Sequence, residues 1–106
     1  MQGRQIITLT TDFGNEGPFV GIIKGVILNI NPDINIVDIC HNIRPYNILE
    51  AAFIIGESYK VFPRRTIHLV VVDPGVGTSR RPILVAAGFQ YFVGPDNSVF
   101  TRIYKE

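Results

Sequence analysis

Along this chain of 106 residues, short β-branched apolar runs alternate with apolar positions at helical spacing, and the last two runs follow each other directly. Residues 6–10 form the first run and give way to Thr11-Asp12-Phe13-Gly14-Asn15-Glu16-Gly17, a glycine-bearing turn. Pro18 then stands where a first-turn proline belongs. Phe19, Ile22, Ile23, Val26, Ile27 and Ile30 recur at helical spacing and predict a helix to about residue 30, stopped by Asn31-Pro32-Asp33. Gly21 and Gly25, one turn apart on it, are expected to let it approach a sheet closely. Residues 34–39 read as a second strand, apolar nearly throughout, ending in Cys40-His41-Asn42. Pro45 can open a second helix with Ile48, Ala51, Ala52, Ile55 and Tyr59 on one face, and Pro63 ends that region. Residues 67–72 are a third strand; 82–87 and 90–93, joined by Gly88-Phe89, are a fourth and a fifth.

The order is therefore βαβαβ followed by a β-hairpin. Strands alternating with helices predict an α/β fold with a mostly parallel sheet and right-handed crossovers, a partial Rossmann-like three-layer domain. Ligands of such sheets bind outside the carboxyl ends of the strands. Strands one, two and three would deliver Asp12, His41 and Asp73 to that edge. The fifth, returning after the fourth has run back, would add Asp96 and Asn97.

Composition narrows the function. Hydrophobic residues make up 46% and charged residues 18%, a globular composition on the apolar side, with some surface expected to be covered by a partner or by further chain. Net charge is +1, and the ten basic residues are scattered, with only Arg64-Arg65 and Arg80-Arg81 side by side. That is no phosphate-tracking stripe, so no nucleic acid partner is expected. No apolar run approaches the roughly 20 residues that cross a bilayer. The single cysteine, Cys40, cannot form an internal disulfide and reads as a small buried residue. The expectation is a soluble cytoplasmic protein with no membrane partner.

The candidate chemistry sits in the turns. In Val71-Val72-Asp73-Pro74-Gly75-Val76-Gly77-Thr78-Ser79-Arg80-Arg81 a buried-type strand ends in an acid, two glycines and two cations. Asp73 and Arg80 are either a salt bridge staking down the loop or a charge pair that orients water or a substrate group. Asp12 is either a turn or helix-cap aspartate or an acceptor for vicinal hydroxyls, the part an acid plays toward ribose in dinucleotide folds. Asp96-Asn97 is either a plain turn former or a binding pair. His41 follows Asp38 by three residues with no third ligand nearby, so it reads as a loop histidine bonded to backbone and no metal site is expected. His68 lies mid-strand and reads as structural. Neither glycine cluster matches a dinucleotide or P-loop pattern.

Five ordered motifs carry a resemblance. Thr10-Thr11-Asp12-Phe13-Gly14, Phe19-Val20-Gly21 with Lys24-Gly25-Val26, and Ile36-Val37-Asp38-Ile39-Cys40-His41 are the first three. The Val71–Thr78 run with Arg80-Arg81, and Phe92-Val93-Gly94-Pro95-Asp96-Asn97, complete the set. In order, they resemble the N-terminal half of the S-adenosylmethionine (SAM) hydroxide adenosyltransferase family, the group related to SAM-dependent chlorinases and fluorinases. The resemblance implies attack on the ribose C5′ of SAM with loss of methionine, with SAM as substrate and no further cofactor. It implies that Asp73 and Arg80 are catalytic and that Asp12, Phe13, Asp96 and Asn97 bind substrate. The Asp/Arg pair favours hydroxide over halide. A halogenase and a non-catalytic nucleoside-binding module are the alternatives.

Family members carry a longer N-terminal domain and a C-terminal β-barrel domain, and bind SAM between subunits of a homotrimer. On that basis residues 1–106 are expected to be an incomplete N-terminal domain, without the barrel and without the family's third catalytic residue, a histidine further along. Ser98 stands where the family usually has glycine, and Gly17 where an acid is common.

Overall fold

The structure, a computed structural model, describes residues 5–45, 47–72, 82–95, 99, 100 and 103. Its elements are β1 (Ile6–Thr11), α1 (Phe19–Ile30), β2 (Asn35–Cys40), α2 (Ile48–Ser58) with a short 3-10 turn Tyr59–Val61, β3 (Ile67–Val71), β4 (Pro82–Ala87) and β5 (Gln90–Pro95). They build one five-stranded sheet in the order β2-β1-β3-β5-β4. β1 pairs in parallel with both β2 and β3, β3 pairs in parallel with β5, and β4 alone runs antiparallel, on the outer edge. The expected α/β order and hairpin are present.

The connections explain the layers. From β1 the chain steps to β2 on one side, then returns past β1 to β3 on the other. Two right-handed crossovers in opposite directions put α1 and α2 on opposite faces. The face toward α2 carries Val70 and Phe92, which join Ile43, Ala51, Ile55, Tyr59, Val72, Val99, Phe100 and Ile103 in one buried core. Each large side chain buried fully there contributes roughly 1.5–3 kcal/mol. The apolar face predicted for α2 is the one that packs. Its start is later than Pro45: Asn47 is the cap, its Oδ1 accepting from the Glu50 backbone N at 2.9 Å, while the Glu50 Oε1 accepts from the Arg44 N at 2.8 Å.

α1 departs from expectation. Gly21 and Gly25 do not face the sheet; both are exposed, and a Cβ at either would meet nothing within 4 Å. Phe19, Ile22 and Val26 lie on the outside at 58%, 56% and 57% exposure, and only Val20, Ile23, Lys24 and Ile27 are half-buried. The helix is apolar on nearly every side, so its periodicity does not say which side turns inward. The Lys24 Nζ, bonded to the Asp38 Oδ2 of β2 at 2.7 Å, marks the inner side. On the same sheet face, farther along, Leu84 and Tyr91 are also exposed. Cys40, expected to be buried, is half-buried and packs at the margin of the core.

The hairpin between β4 and β5 turns through Gly88 (φ 57°) and Phe89 (φ 64°), both left-handed, as a two-residue turn matched to strand twist requires. The Arg64 guanidinium lies 4.0 Å from the centre of the Phe89 ring. Gly94 in β5 is required by space instead: a Cβ there would stand 2.9 Å from the Phe100 Cζ and 3.0 Å from the Val70 carbonyl oxygen. A Gly94→Ala variant should therefore lose about 1–3 kcal/mol, the usual cost of overpacking. Urea unfolding with the slope compared to wild type checks it.

Candidate functional site

β1 is the strand from which the chain departs both ways, so the crevice beyond the carboxyl ends of β1 and β3 is the switch point of this sheet, where open α/β folds place their ligands. Asp12 lies at that crevice. Its backbone N donates to the Val71 carbonyl oxygen of β3 at 3.3 Å, carrying the pairing of β1 and β3 one step past the last register pair. Phe13 follows, half-buried, its ring 5.7 Å from that of Phe19 at the start of α1. β5 is parallel to both strands through β3 and ends on the same edge. Of the residues expected at the site, Asp12 and Phe13 are thus seated on this edge. Asp73, Arg80, Asp96 and Asn97 lie outside the described residues.

The carboxyl end of β2 adds a polar chain that sequence spacing does not show. His41 is 7% exposed, with both ring nitrogens engaged by side chains. The Nε2 is 2.7 Å from the Asp38 Oδ1, and the Nδ1 is 2.8 Å from the Thr11 Oγ1. Lys24 closes the far end on the other oxygen of Asp38. Burial pushes the Asp38 carboxyl up, but the hydrogen bonds and charges of Lys24 and His41 outweigh it and hold the group below the ordinary aspartate value. An ionised Asp38 can only accept, so Nε2 carries a proton. Nδ1 meets the Thr11 hydroxyl, whose oxygen also accepts from the Phe13 backbone N at 3.3 Å. The backbone-bonded histidine read from sequence is therefore corrected: the ring is held by two side chains. The Asp38 spacing was a visible signal, but Thr11 lies thirty positions earlier.

The two turns are stitched together as well. The Gly14 N donates to the His41 carbonyl oxygen at 2.7 Å, and the Asn15 Nδ2 donates to the Asn42 Oδ1 at 3.1 Å. Thr10 is the exception to this satisfaction: its buried hydroxyl has no hydrogen-bond partner among the described residues. Among those residues no group of three His, Cys, Asp or Glu side chains is placed to hold a metal ion, and no helix is long and apolar enough to cross a membrane. Chemically, the described residues of the edge include the Asp12 carboxylate, on a multiply bonded turn beside the end of β3. Such an acid can hold a polyhydroxylated ligand in one orientation.

Comparison with known proteins gives this edge a context. Residues 7–106 match the model of the SAM hydroxide adenosyltransferase N-terminal domain. An (R)-S-adenosyl-L-methionine hydrolase from Methanocaldococcus jannaschii is 45% identical over 103 residues, covering 92% of this chain and 39% of that protein. A fluorinase from Nocardia brasiliensis is more distant, 29% identical over 126 residues, covering 97% of this chain and 42% of its own. The crystal structure of an uncharacterized conserved protein from Thermotoga maritima superposes with a TM-score of 0.87 at 42% identity, over 93% of this chain and 38% of that one. The chain spans about two fifths of the length of the relatives it matches.

Proposed function

Since this chain belongs to the SAM hydroxide adenosyltransferase family, matched over the N-terminal domain, we propose that it supplies the N-terminal α/β part of a SAM hydrolase. The reaction converts SAM and water to adenosine and L-methionine. The C5′–S bond breaks with its electron pair going to sulfur, the C5′–O bond forms, and the proton lost by water passes to solvent. Sulfur leaves as a neutral thioether, so no general acid is needed, and rate comes from placing the nucleophile in line and stripping its water.

In this reading Asp12 accepts hydrogen bonds from the ribose hydroxyls, with Phe13, Asp96 and Asn97 as the other substrate contacts. Asp73 and Arg80 align and activate the attacking water. A guanidinium stays cationic at every working pH and favours hydroxide beside it. The working assembly is a cytoplasmic homotrimer, with SAM lying between this domain of one subunit and the barrel domain of the next. The observation that carries the reading is Asp12 at the β1/β3 switch point, its N bonded to the Val71 oxygen two residues before Asp73 in the chain. The identity of 45% to a named hydrolase, against 29% to a fluorinase, supports hydroxide as the nucleophile.

Fluorinase kinship keeps a halide nucleophile as the second reading, and one experiment separates them. The intact enzyme of which this domain is a part is incubated with SAM at neutral pH, with and without chloride or fluoride, and the products are resolved by chromatography. Adenosine and methionine in equal amounts, independent of halide, are expected. A 5′-halo-5′-deoxyadenosine that grows with halide would overturn the hydrolase reading.

A further inference from the structure

Asp38, His41 and Thr11 have the make-up of an orienting acid, a base and a hydroxyl nucleophile. Thr11, however, is fully buried, so its oxygen has no access to a substrate. The chain of bonds acts on its neighbours instead. His41 holds the turn on both sides of Asp12: its ring bonds the Thr11 hydroxyl before it, and its carbonyl oxygen accepts from the Gly14 N after it. The Thr11 oxygen in turn takes the Phe13 N. With the Asp12 N on the Val71 oxygen, the backbone from 11 to 14 is tied to β2 and β3 by consecutive bonds. Asp38 fixes the ring, and Lys24 fixes Asp38 from α1.

We propose that His41, through Thr11, is a positioning residue that sets the Asp12-Phe13 turn for the ribose, with Asp38 and Lys24 as its outer supports. The proposal rests on Asp12 as the ribose acceptor. A binding carboxylate must be held within about 0.5 Å of its productive place, and residues behind it usually do that. Imidazole suits the task because its two nitrogens point in different directions and span the gap between Thr11 and Asp38. The functional residue is then not the histidine itself but the geometry it imposes two bonds away.

The test is a titration of the intact enzyme of which this domain is a part with adenosine, followed by isothermal calorimetry, on wild type, Asp12→Asn, Thr11→Val, Thr11→Ser and Asp38→Ala. Thr11→Val removes only the hydroxyl from a nearly unchanged shape, and Thr11→Ser returns it. Asp38→Ala acts from the solvent side, where the fold tolerates change if the valine variant does not fold. Expected are adenosine binding by wild type and its loss in Asp12→Asn. Binding about tenfold weaker is expected in Thr11→Val and several-fold weaker in Asp38→Ala, with Thr11→Ser close to wild type. A merely structural hydroxyl would shift melting temperature and leave the affinity of the folded fraction unchanged. If Asp12→Asn loses binding while Thr11→Val and Asp38→Ala keep it, the positioning role is overturned and the ribose reading stands. If the intact wild-type enzyme binds no adenosine, both fall together.

Discussion

Asp73→Asn and Arg80→Ala should each lower SAM turnover by roughly a hundredfold or more while moving the melting temperature by only a few degrees. The expectation belongs to the intact enzyme of which this domain is proposed to be a part. A positioned group that takes a proton from, or holds charge beside, an attacking water typically contributes 10²–10⁴-fold. If the two act as the proposed pair, asparagine keeps the shape of Asp73 but cannot balance the guanidinium, and alanine at position 80 removes the cation. Arg80→Lys separates charge from geometry, since a point charge on a flexible stem does not reproduce a planar fork. Partial activity in the lysine variant would mean that charge is the larger part. Initial rates of adenosine release at saturating SAM, alongside thermal melts, are the measurement. Near-normal rates in both variants would remove the water-activation role.

The second large effect falls on stability. His68 is fully buried in β3, stacked on Phe92 with ring centres 5.0 Å apart. Its Nδ1 lies 2.7 Å from the Thr8 Oγ1 and its Nε2 lies 2.5 Å from the Gln90 Oε1. Gln90 spends its two amide hydrogens on the carbonyl oxygens of Tyr59 and Phe62, both at 3.0 Å, so its oxygen must accept. Nε2 therefore donates, Nδ1 accepts from Thr8, and every member is satisfied with the ring neutral. His68→Ala would empty the stacked position and orphan two buried groups at once, costing about 3–5 kcal/mol. That is a large share of the 5–15 kcal/mol that holds a domain together. Denaturant midpoints check it.

The same residue sets an acid limit. Burial lowers the His68 pKa from 6.5, although the bond to Gln90 works the other way. A histidine with a depressed folded value binds fewer protons folded than unfolded. Its contribution is thus complete above about pH 6.5 and declines as pH falls from there toward the folded value. Melting temperature should drop across that window in wild type. A His68→Gln variant, less stable throughout, should lack this component of the slope.

Much of this architecture is legible in the residues. The β-branched runs, the glycine turn at Gly88-Phe89 and the prolines mark the strands, the hairpin and most element ends, because backbone sterics act locally. The start of α2 was legible too: Asn47-Ile48-Leu49-Glu50 is a capping pattern, and it outweighs Pro45. The inward side of α1 was not, since an apolar helix with two glycines has no contrast to read. It is decided by Lys24 reaching across to Asp38. At the site, Asp12 could be placed from the turn that follows a strand, whereas the partner of His41 could not. Thr11 and His41 meet only because β1 and β2 lie side by side, with Thr10 opposite Cys40 one step before them.

The place of β5 in the sheet has a consequence for how the molecule assembles. β4 is made before β5, yet β5 is the strand that touches β3. Synthesis therefore delivers an edge strand ahead of the strand that must lie inside it. β4 has no correct partner until the chain has turned at Gly88-Phe89, and a premature pairing with β3 would occupy the position of β5. The route that avoids this trap closes the hairpin first, by contacts local in sequence, and then docks it as a unit through β5. The left-handed turn would then be an early commitment in folding, and the bond from the Arg65 N to the Phe89 oxygen would help to steer the finished hairpin to the start of β3.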